Sequence, residues 1–273
     1  ALLEGVITVM EPGELGNKGS VVDAGLVAAM LGTMDQTQVQ DALTPEMAED
    51  LAGKMSASDV GLLDSDSAAA MMSTMGAETA ATAMEADSLA SMIGVMDGEA
   101  IAQTLDAESA GAIAEALTGE NLESLGAEQA AGIATAMEPD QLAALGAEQA
   151  AGMATAISAD PDQLLEMDSE SVAAMATTME ASDLGTLGSD MVGTMMATMD
   201  SEQLGGMSDE HMAEALETTG ADHMGAGAAN FDEIEVTATF LSEAPVETPE
   251  SFAEMMQAEG AASFFSGMFG GES

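Results

Sequence analysis

Three residue types in this sequence have side chains that could do chemistry, and their spacing decides what that chemistry is. The 26 methionines carry thioethers, which are ligands for soft copper(I). They cluster in Met71-Met72-Ser73-Thr74-Met75 and Met195-Met196-Ala197-Thr198-Met199. The 50 acidic residues offer oxygen ligands for calcium or another divalent cation. Asp64-Ser65-Asp66 has the start of such a loop, without the remainder of an EF-hand pattern. His211 and His223 are the only imidazoles, with Glu210, Glu214 and Asp222 nearby; they read either as a metal pair or as two solvent-exposed side chains.

Other chemistry lacks its residues. The count of Cys is 0, so there is no disulfide framework, thiolate metal site or Cys nucleophile. No glycine-rich strand-to-helix loop, nucleophile elbow or His-Glu-x-x-His motif is present, and these are the patterns that mark phosphate, acyl-transfer and zinc sites. The expectation is a chain that is not an enzyme and holds no cofactor, with calcium as the candidate ligand.

The elements that would position these residues are set by a repeat. Gly126 to Leu145, GAEQAAGIATAMEPDQLAAL, is followed by Gly146 to Ile157, GAEQAAGMATAI. Self-similarity at such a period marks a repeat array. Within the unit, Ala130, Ile133 and Met137 share one helical face, and Leu142 and Leu145 share a second, shorter one. Pro139 between them suits the first turn of a new helix and would disrupt the interior of an old one. Each unit therefore reads as a helix, a tight turn and a shorter helix. The same template lays out units at 23–43, 44–63, 64–84, 85–105, 106–125, 126–145, 146–167, 168–187, 188–207 and 208–227.

The repeat explains the methionines and acids without a ligand. The eighth position holds Met30, Leu51, Met71, Met92, Ile113, Ile133, Met153, Met175 and Met195, and the twelfth holds Met34, Met55, Met75, Met96, Leu117, Met137, Ile157, Met179 and Met199. Met interchanging with Ile and Leu is the behaviour of a flexible core filler. Acids such as Glu128, Glu138, Asp140, Glu170, Glu180 and Asp183 fall where helices open, and there N-caps and negative charge stabilise. What is left over is an acidic edge with almost no Lys or Arg to neutralise it. Ala159-Asp160 is an insertion in the seventh turn, expected to bulge at the surface, and the tenth unit, with Ala215 and Thr219 at the key positions, reads as a degenerate cap.

The predicted fold is all-α: an α-solenoid of about ten helix-turn-helix repeats of ~20 residues, with short strand-like segments at both ends. With one layer per unit it would be on the order of 100 Å long. Residues 1–22 form an N-terminal arm in which Val6, Ile7 and Val9 suggest a short strand, or an arm that covers the first repeat. Residues 228–273 form a tail holding all six Phe. Phe231, Ile234, Val236 and Phe240 alternate with polar residues as in a half-buried strand. Phe252 lies on a helix that Thr248 and Pro249 would open, and Phe264, Phe265 and Phe269 would plug the array or anchor it. Two strands without sheets suggest head-to-tail pairing between copies, a route to filaments.

Composition bounds the partners. A net charge of -48 makes nucleic acid and anionic membrane poor partners, because both need a basic surface; itself or a basic protein is the better expectation. No apolar run reaches the length of a membrane span. The start at Ala1 and the acid-rich surface point to an extracytoplasmic location, whether periplasmic, cell-surface or secreted. The leading expectation is a structural or interaction scaffold, a self-assembling filament or sheath subunit. The alternatives are a calcium or other divalent-cation binder, and an accessory subunit docked on a membrane or surface assembly through its tail.

Met137-Glu138-Pro139-Asp140-Gln141-Leu142 and Leu105-Asp106-Ala107-Glu108-Ser109-Ala110 resemble the helical repeats in the cytoplasmic domain of magnesium transporters and in the flagellar rotor switch protein. The resemblance covers most of 23–227 and implies a right-handed stack of short α-helices. Those families carry more Leu and many more basic residues, and no functional residue is carried over.

Replacing Met137 and Met153 together by Leu is expected to leave helicity intact, at a cost below about 1.5 kcal/mol, whereas Asp at both should unfold the middle of the array. Circular dichroism during thermal melting measures both. Loss of a bound metal from the Leu variant would show that these thioethers are ligands.

Overall fold

The computed structural model describes residues 23–219. The Val6, Ile7 and Val9 segment, the Phe-bearing tail (Phe231, Ile234, Val236, Phe240, Phe252, Phe264, Phe265 and Phe269) and His223 lie outside the described residues. Within them the chain is all-α, with no β-strand among the described residues.

Long helices open one residue after each unit boundary, at Ala24, Pro45, Ser65, Ala86, Ala107, Ala127, Ala147, Ser169 and Ser189, with a further helical stretch over 209–219. Shorter helices such as Gln36–Ala42, Gly98–Thr104 and Pro139–Ala144 fall between them. Side-chain caps set these starts. Asp23, Asp35, Thr44, Ser56, Asp64, Asp97, Asp106, Thr118, Asp168 and Asp200 each accept a backbone N–H of their own first turn. Reciprocal capping boxes join Asp35 to Gln38, Ser56 to Asp59 and Thr118 to Asn121, so two otherwise orphan donors are satisfied at each start. Gly76 and Gly188 are single-residue joints between helices, with φ of 84° and 83°, a conformation that residues with a Cβ rarely adopt.

The core follows the repeat. Leu51, Met71, Met92, Ile113, Ile133, Met153, Met175 and Met195 are buried at the eighth position, and all nine residues of the twelfth position are buried too. Val39, Val60, Ile101, Leu122, Leu142, Leu164, Leu184 and Leu204 complete the core from the short helices. The first unit departs from the template: Met30 is only half-buried, while Leu31 is fully enclosed. The large residue there is one place later, on the same face as Val27 four residues before it. In the seventh unit Ala159 and Asp160 are exposed, and the short helix that follows, Pro161–Glu166, is wound as a 3-10 helix. It still buries Leu164 and Met167.

Contacts across the molecule obey one rule that the repeat length alone does not express. With the exception of Ala107–Ala116, the helices pack against the third helix after them. Gln36–Ala42 lies on Ser65–Met75, Ala57–Val60 on Ala86–Val95, Ala77–Ala83 on Ala107–Ala116, Gly98–Thr104 on Ala127–Ala136, Gly119–Glu123 on Ala147–Ile157, and Pro139–Ala144 on Ser169–Thr178. Successive long helices also touch side by side. A unit therefore does not stack as one layer on the next unit: its short helix meets the long helix two units on. Small residues permit the approach. A Cβ built at Gly152 would meet the Gly119 carbonyl carbon at 2.9 Å, and one at Gly98 would meet the Glu128 carbonyl oxygen at 3.0 Å.

Gly to Ala inside a helix normally stabilises by about 0.5–1 kcal/mol. Gly94→Ala should do so, since nothing lies within 4 Å of its added Cβ. Gly152→Ala should instead destabilise, because the Gly119 backbone must move, at an overpacking cost of about 1–3 kcal/mol. Paired urea melts of the two variants check the opposite signs.

Candidate interaction surface

Asp64 and His211, two of the residues singled out for metal chemistry, make structural hydrogen bonds. Asp64 caps Ser65–Met75, its carboxylate accepting the Ser67 N–H at 2.9 Å, and Asp66 lies exposed in the first turn of the same helix. No group of three or more His, Asp or Glu able to hold a metal ion occurs among the described residues. His211 uses both ring nitrogens. Nε2 lies 2.9 Å from the Met179 carbonyl and Nδ1 lies 2.6 Å from the Ser208 hydroxyl. A carbonyl can only accept, so Nε2 carries a proton and donates to Met179, while Nδ1 is paired with the Ser208 hydroxyl. Neither nitrogen can take a metal without giving up a hydrogen bond.

His211 belongs to a set that spacing alone does not reveal. It stands at the fourth position of its unit, and in three other units the same position sends a donor to a carbonyl at or just past the end of the long helix two units earlier. Ser67 donates to Met34 at 3.3 Å and to Leu31 at 2.9 Å, Ser88 to Met55 at 3.0 Å, and Gln129 to Met96 at 2.8 Å. The last carbonyls of a helix have no partner within it, so these side chains close the end of one helix from the next layer. Ser67 and Ser88 are buried, and no buried side-chain nitrogen or oxygen among the described residues lacks a partner. The sequence signal was present in the recurrence of Ser or Gln at the fourth position; its meaning required the layer geometry.

The carboxylates line the outside. Asp106 is fully exposed, and its pKa is lowered by hydrogen bonds from the Ser109 backbone N–H, at 3.0 Å, and then from the Ser109 hydroxyl. A folded pKa below the unfolded one gives stability that is present above the usual aspartate value of about 3.9 and is lost as pH falls through the folded value. Lys54 is the one Lys or Arg among the described residues, and its ammonium lies 2.6 Å from Asp50. Two open concavities are found on the surface. Glu46, Glu49, Asp50, Gly53, Lys54 and Ala83 line one. Glu78, Glu108, Glu115 and Asp140 surround a floor of Gly111, Ala112 and Ala144 in the other. Neither brings a Ser, Thr or His beside its carboxylates. No helix among the described residues is long and apolar enough to cross a membrane. Comparison with family models, curated proteins and solved structures finds no match for the chain.

His211→Ala should cost about 1–3 kcal/mol, since it leaves the Met179 carbonyl without its donor, and His211→Gln should recover most of this loss, as Gln129 makes the equivalent bond. Thermal melts of both variants, with and without added zinc, provide the check; equal zinc stabilisation of wild type and loss in both variants would assign His211 to metal binding instead.

Proposed function

We propose that this protein is a non-enzymatic structural or interaction scaffold: an acidic α-solenoid whose short helices wind into a superhelix with three helices per turn. The carrying observation is the recurrence of contacts between one helix and the third after it, from Ala24–Leu31 against Ala57–Val60 through to Pro161–Glu166 against Ser189–Thr198. A chain that repeats one contact at one register along its length makes an extended surface and no enclosed pocket. At roughly 10 Å per layer, three helices per turn bring the helices between 24 and 219 into a rod on the order of 60 Å long, shorter than a stack with one layer per unit.

The partner chemistry follows from the surface. Carboxylates crowd the helix starts with Lys54 alone to oppose them between 23 and 219, which suits a basic protein partner or a cation-rich exterior medium and disfavours nucleic acid. Self-association is supported by the first layer, where Leu26 is 46% and Leu62 51% exposed. Ala24–Leu31, which carries Leu26, contacts Ala57–Val60, which Leu62 follows in the next turn. An apolar end face that resembles an interior layer accepts another layer, and head-to-tail contacts that do not close generate filaments. The extracytoplasmic assignment accords with this acidic surface.

Sedimentation velocity over a range of protein concentrations tests the reading. Reversible association that Leu26→Glu with Leu62→Glu abolishes, with helicity unchanged, is expected. Repeating the runs in calcium, magnesium and sodium at matched ionic strength separates the cation-binding alternative. Saturable, calcium-selective change at micromolar levels would replace the scaffold by a calcium binder, whereas a response to ionic strength alone is expected from screening of surface charge.

A further inference from the structure

The insertion in the seventh unit changes the chemistry of one peptide bond. The sixth unit turns through Glu138-Pro139-Asp140-Gln141-Leu142, and the seventh through Ala159-Asp160-Pro161-Asp162-Gln163-Leu164. Both turns keep Pro-Asp-Gln-Leu, but the inserted pair puts Asp where the sixth unit has Glu ahead of the proline. Asp160-Pro161 is the single Asp-Pro pair of the chain. The nitrogen of such a bond is a tertiary amide, easier to protonate than an ordinary amide nitrogen and so a better leaving group. The carboxyl group before it can reach the carbonyl carbon of its own residue by closing a five-membered ring. A nucleophile held beside its target by the covalent chain acts at a very high effective concentration.

The turn presents this bond for reaction. Asp160 is exposed and Pro161 half-buried, at the start of the 3-10 helix Pro161–Glu166. The Asp160 carbonyl oxygen accepts the Gln163 backbone N–H at 3.1 Å, a donor aimed at the oxygen on which negative charge develops during attack. Gln163 Nε2 donates to Asp160 Oδ2 at 3.3 Å, which leaves Oδ1 without a partner among the described residues. The Glu138 carbonyl receives the equivalent bond from the Gln141 N–H at 2.9 Å, but its carboxyl is one methylene longer and must close a six-membered ring, which forms less readily. The molecule thus carries its own control bond. The ionisable groups around Asp160-Pro161 are Asp162 and Glu166 in the 3-10 helix, and Glu128, Glu148 and Asp190 on the helices packed against it. All are carboxyls, so none of them brings a positive charge that would oppose protonation of the prolyl nitrogen.

We infer that Asp160-Pro161 is a self-cleaving bond, which acid opens while the helix layers hold both parts of the chain together. Asp160 Oδ1 bonds to the Asp160 carbonyl carbon, and the C–N bond to Pro161 breaks. The electron pair of that bond stays on the prolyl nitrogen, which takes a proton from the acidic medium. One water then opens the cyclic anhydride, restoring the Asp160 side-chain carboxyl and forming a new α-carboxyl beside it. Contacts that span the cut keep the two parts assembled. Ala127–Ala136 lies on Pro161–Glu166, Pro139–Ala144 on Ser169–Thr178, and Ala147–Ile157 on Ala181–Leu187. The Thr178 hydroxyl donates to the Leu142 carbonyl across it at 3.4 Å.

The test incubates the full chain in buffers spaced from about pH 3 to about pH 7, a range that spans the ordinary titration of carboxyl groups. Denaturing electrophoresis and intact mass follow the products, and circular dichroism follows helicity. Two fragments are expected, ending at Asp160 and beginning at Pro161, with masses that sum to the chain plus one water. They should form at a first-order rate that rises as the medium is acidified and does not depend on protein concentration. Asp160→Ala should abolish this cut, and Asp160→Glu should slow it to the rate of the Glu138-Pro139 bond; both positions are exposed, so both variants should keep wild-type helicity. An intact chain throughout the series, cutting at Glu138-Pro139 as fast as at Asp160-Pro161, or a cut that persists in Asp160→Ala overturns the self-cleaving bond. The cleaved chain, returned to neutral buffer at low concentration, should sediment as the intact chain does and separate into its fragments only in urea. Separation without urea overturns the part of the inference that has the layers hold the two parts together.

Discussion

Everything in this molecule depends on a helix meeting the third helix after it. The helices run from four residues in Ala57–Val60 to eleven in Ser65–Met75, below the roughly 12–15 residues at which an isolated helix becomes even marginal in water. None has a reason to exist alone. The layer contact supplies what the local chain lacks: burial of the eighth, twelfth and seventeenth positions, and a donor for the carbonyls at the end of the long helix. Ser67, Ser88, Gln129 and His211 make that donation across 32 to 36 residues of sequence. Packing and hydrogen bonding thus fail or hold together, which ties the stability of each unit to the presence of its neighbours.

The core built this way is thin, and its composition follows from that. Ala and Gly fill much of the contact face, with Gly152 on Gly119 and Gly132 on Ile101, so the axes approach closely and little volume remains for large side chains. Met meets the leftover gaps because its unbranched chain adapts to them. The same reasoning removes the attraction of the Met clusters as soft-metal ligands: Met71, Met72, Met75, Met195, Met196 and Met199 are all buried, and a ligand sphere would have to compete with the packing that holds the layers.

The surface carries the opposite emphasis. Acids begin the helices, where the unsatisfied N–H groups favour them, and Asp106 shows the benefit directly in its lowered pKa. Between residues 23 and 219 they place many like charges on the surface with Lys54 as the described counterweight. Local stabilisation and long-range repulsion therefore pull against each other, and the balance shifts with the cations of the medium.

Much of the helix layout was legible in the residues. Pro139, the Asp, Ser and Thr caps, and the alternation of Ile133, Met137 and Leu142 placed helix starts and buried faces to within a residue, because capping and amphipathic spacing are local properties that a stretch of chain carries with it. Met30 slipped against Leu31 where two apolar neighbours compete for one face and the spacing admits either. The layer rule was not legible. The repeat states that each unit resembles the next, but whether a short helix lies on the following unit or on the one after is decided by the turn angles at joints such as Gly76 and Gly188 and by which backbones can touch. The role of His211 followed the same division: from its sequence neighbours it read as half of a metal pair or as an exposed side chain, and only the arrival of the Met179 carbonyl, 32 residues away in the chain, made it a cap.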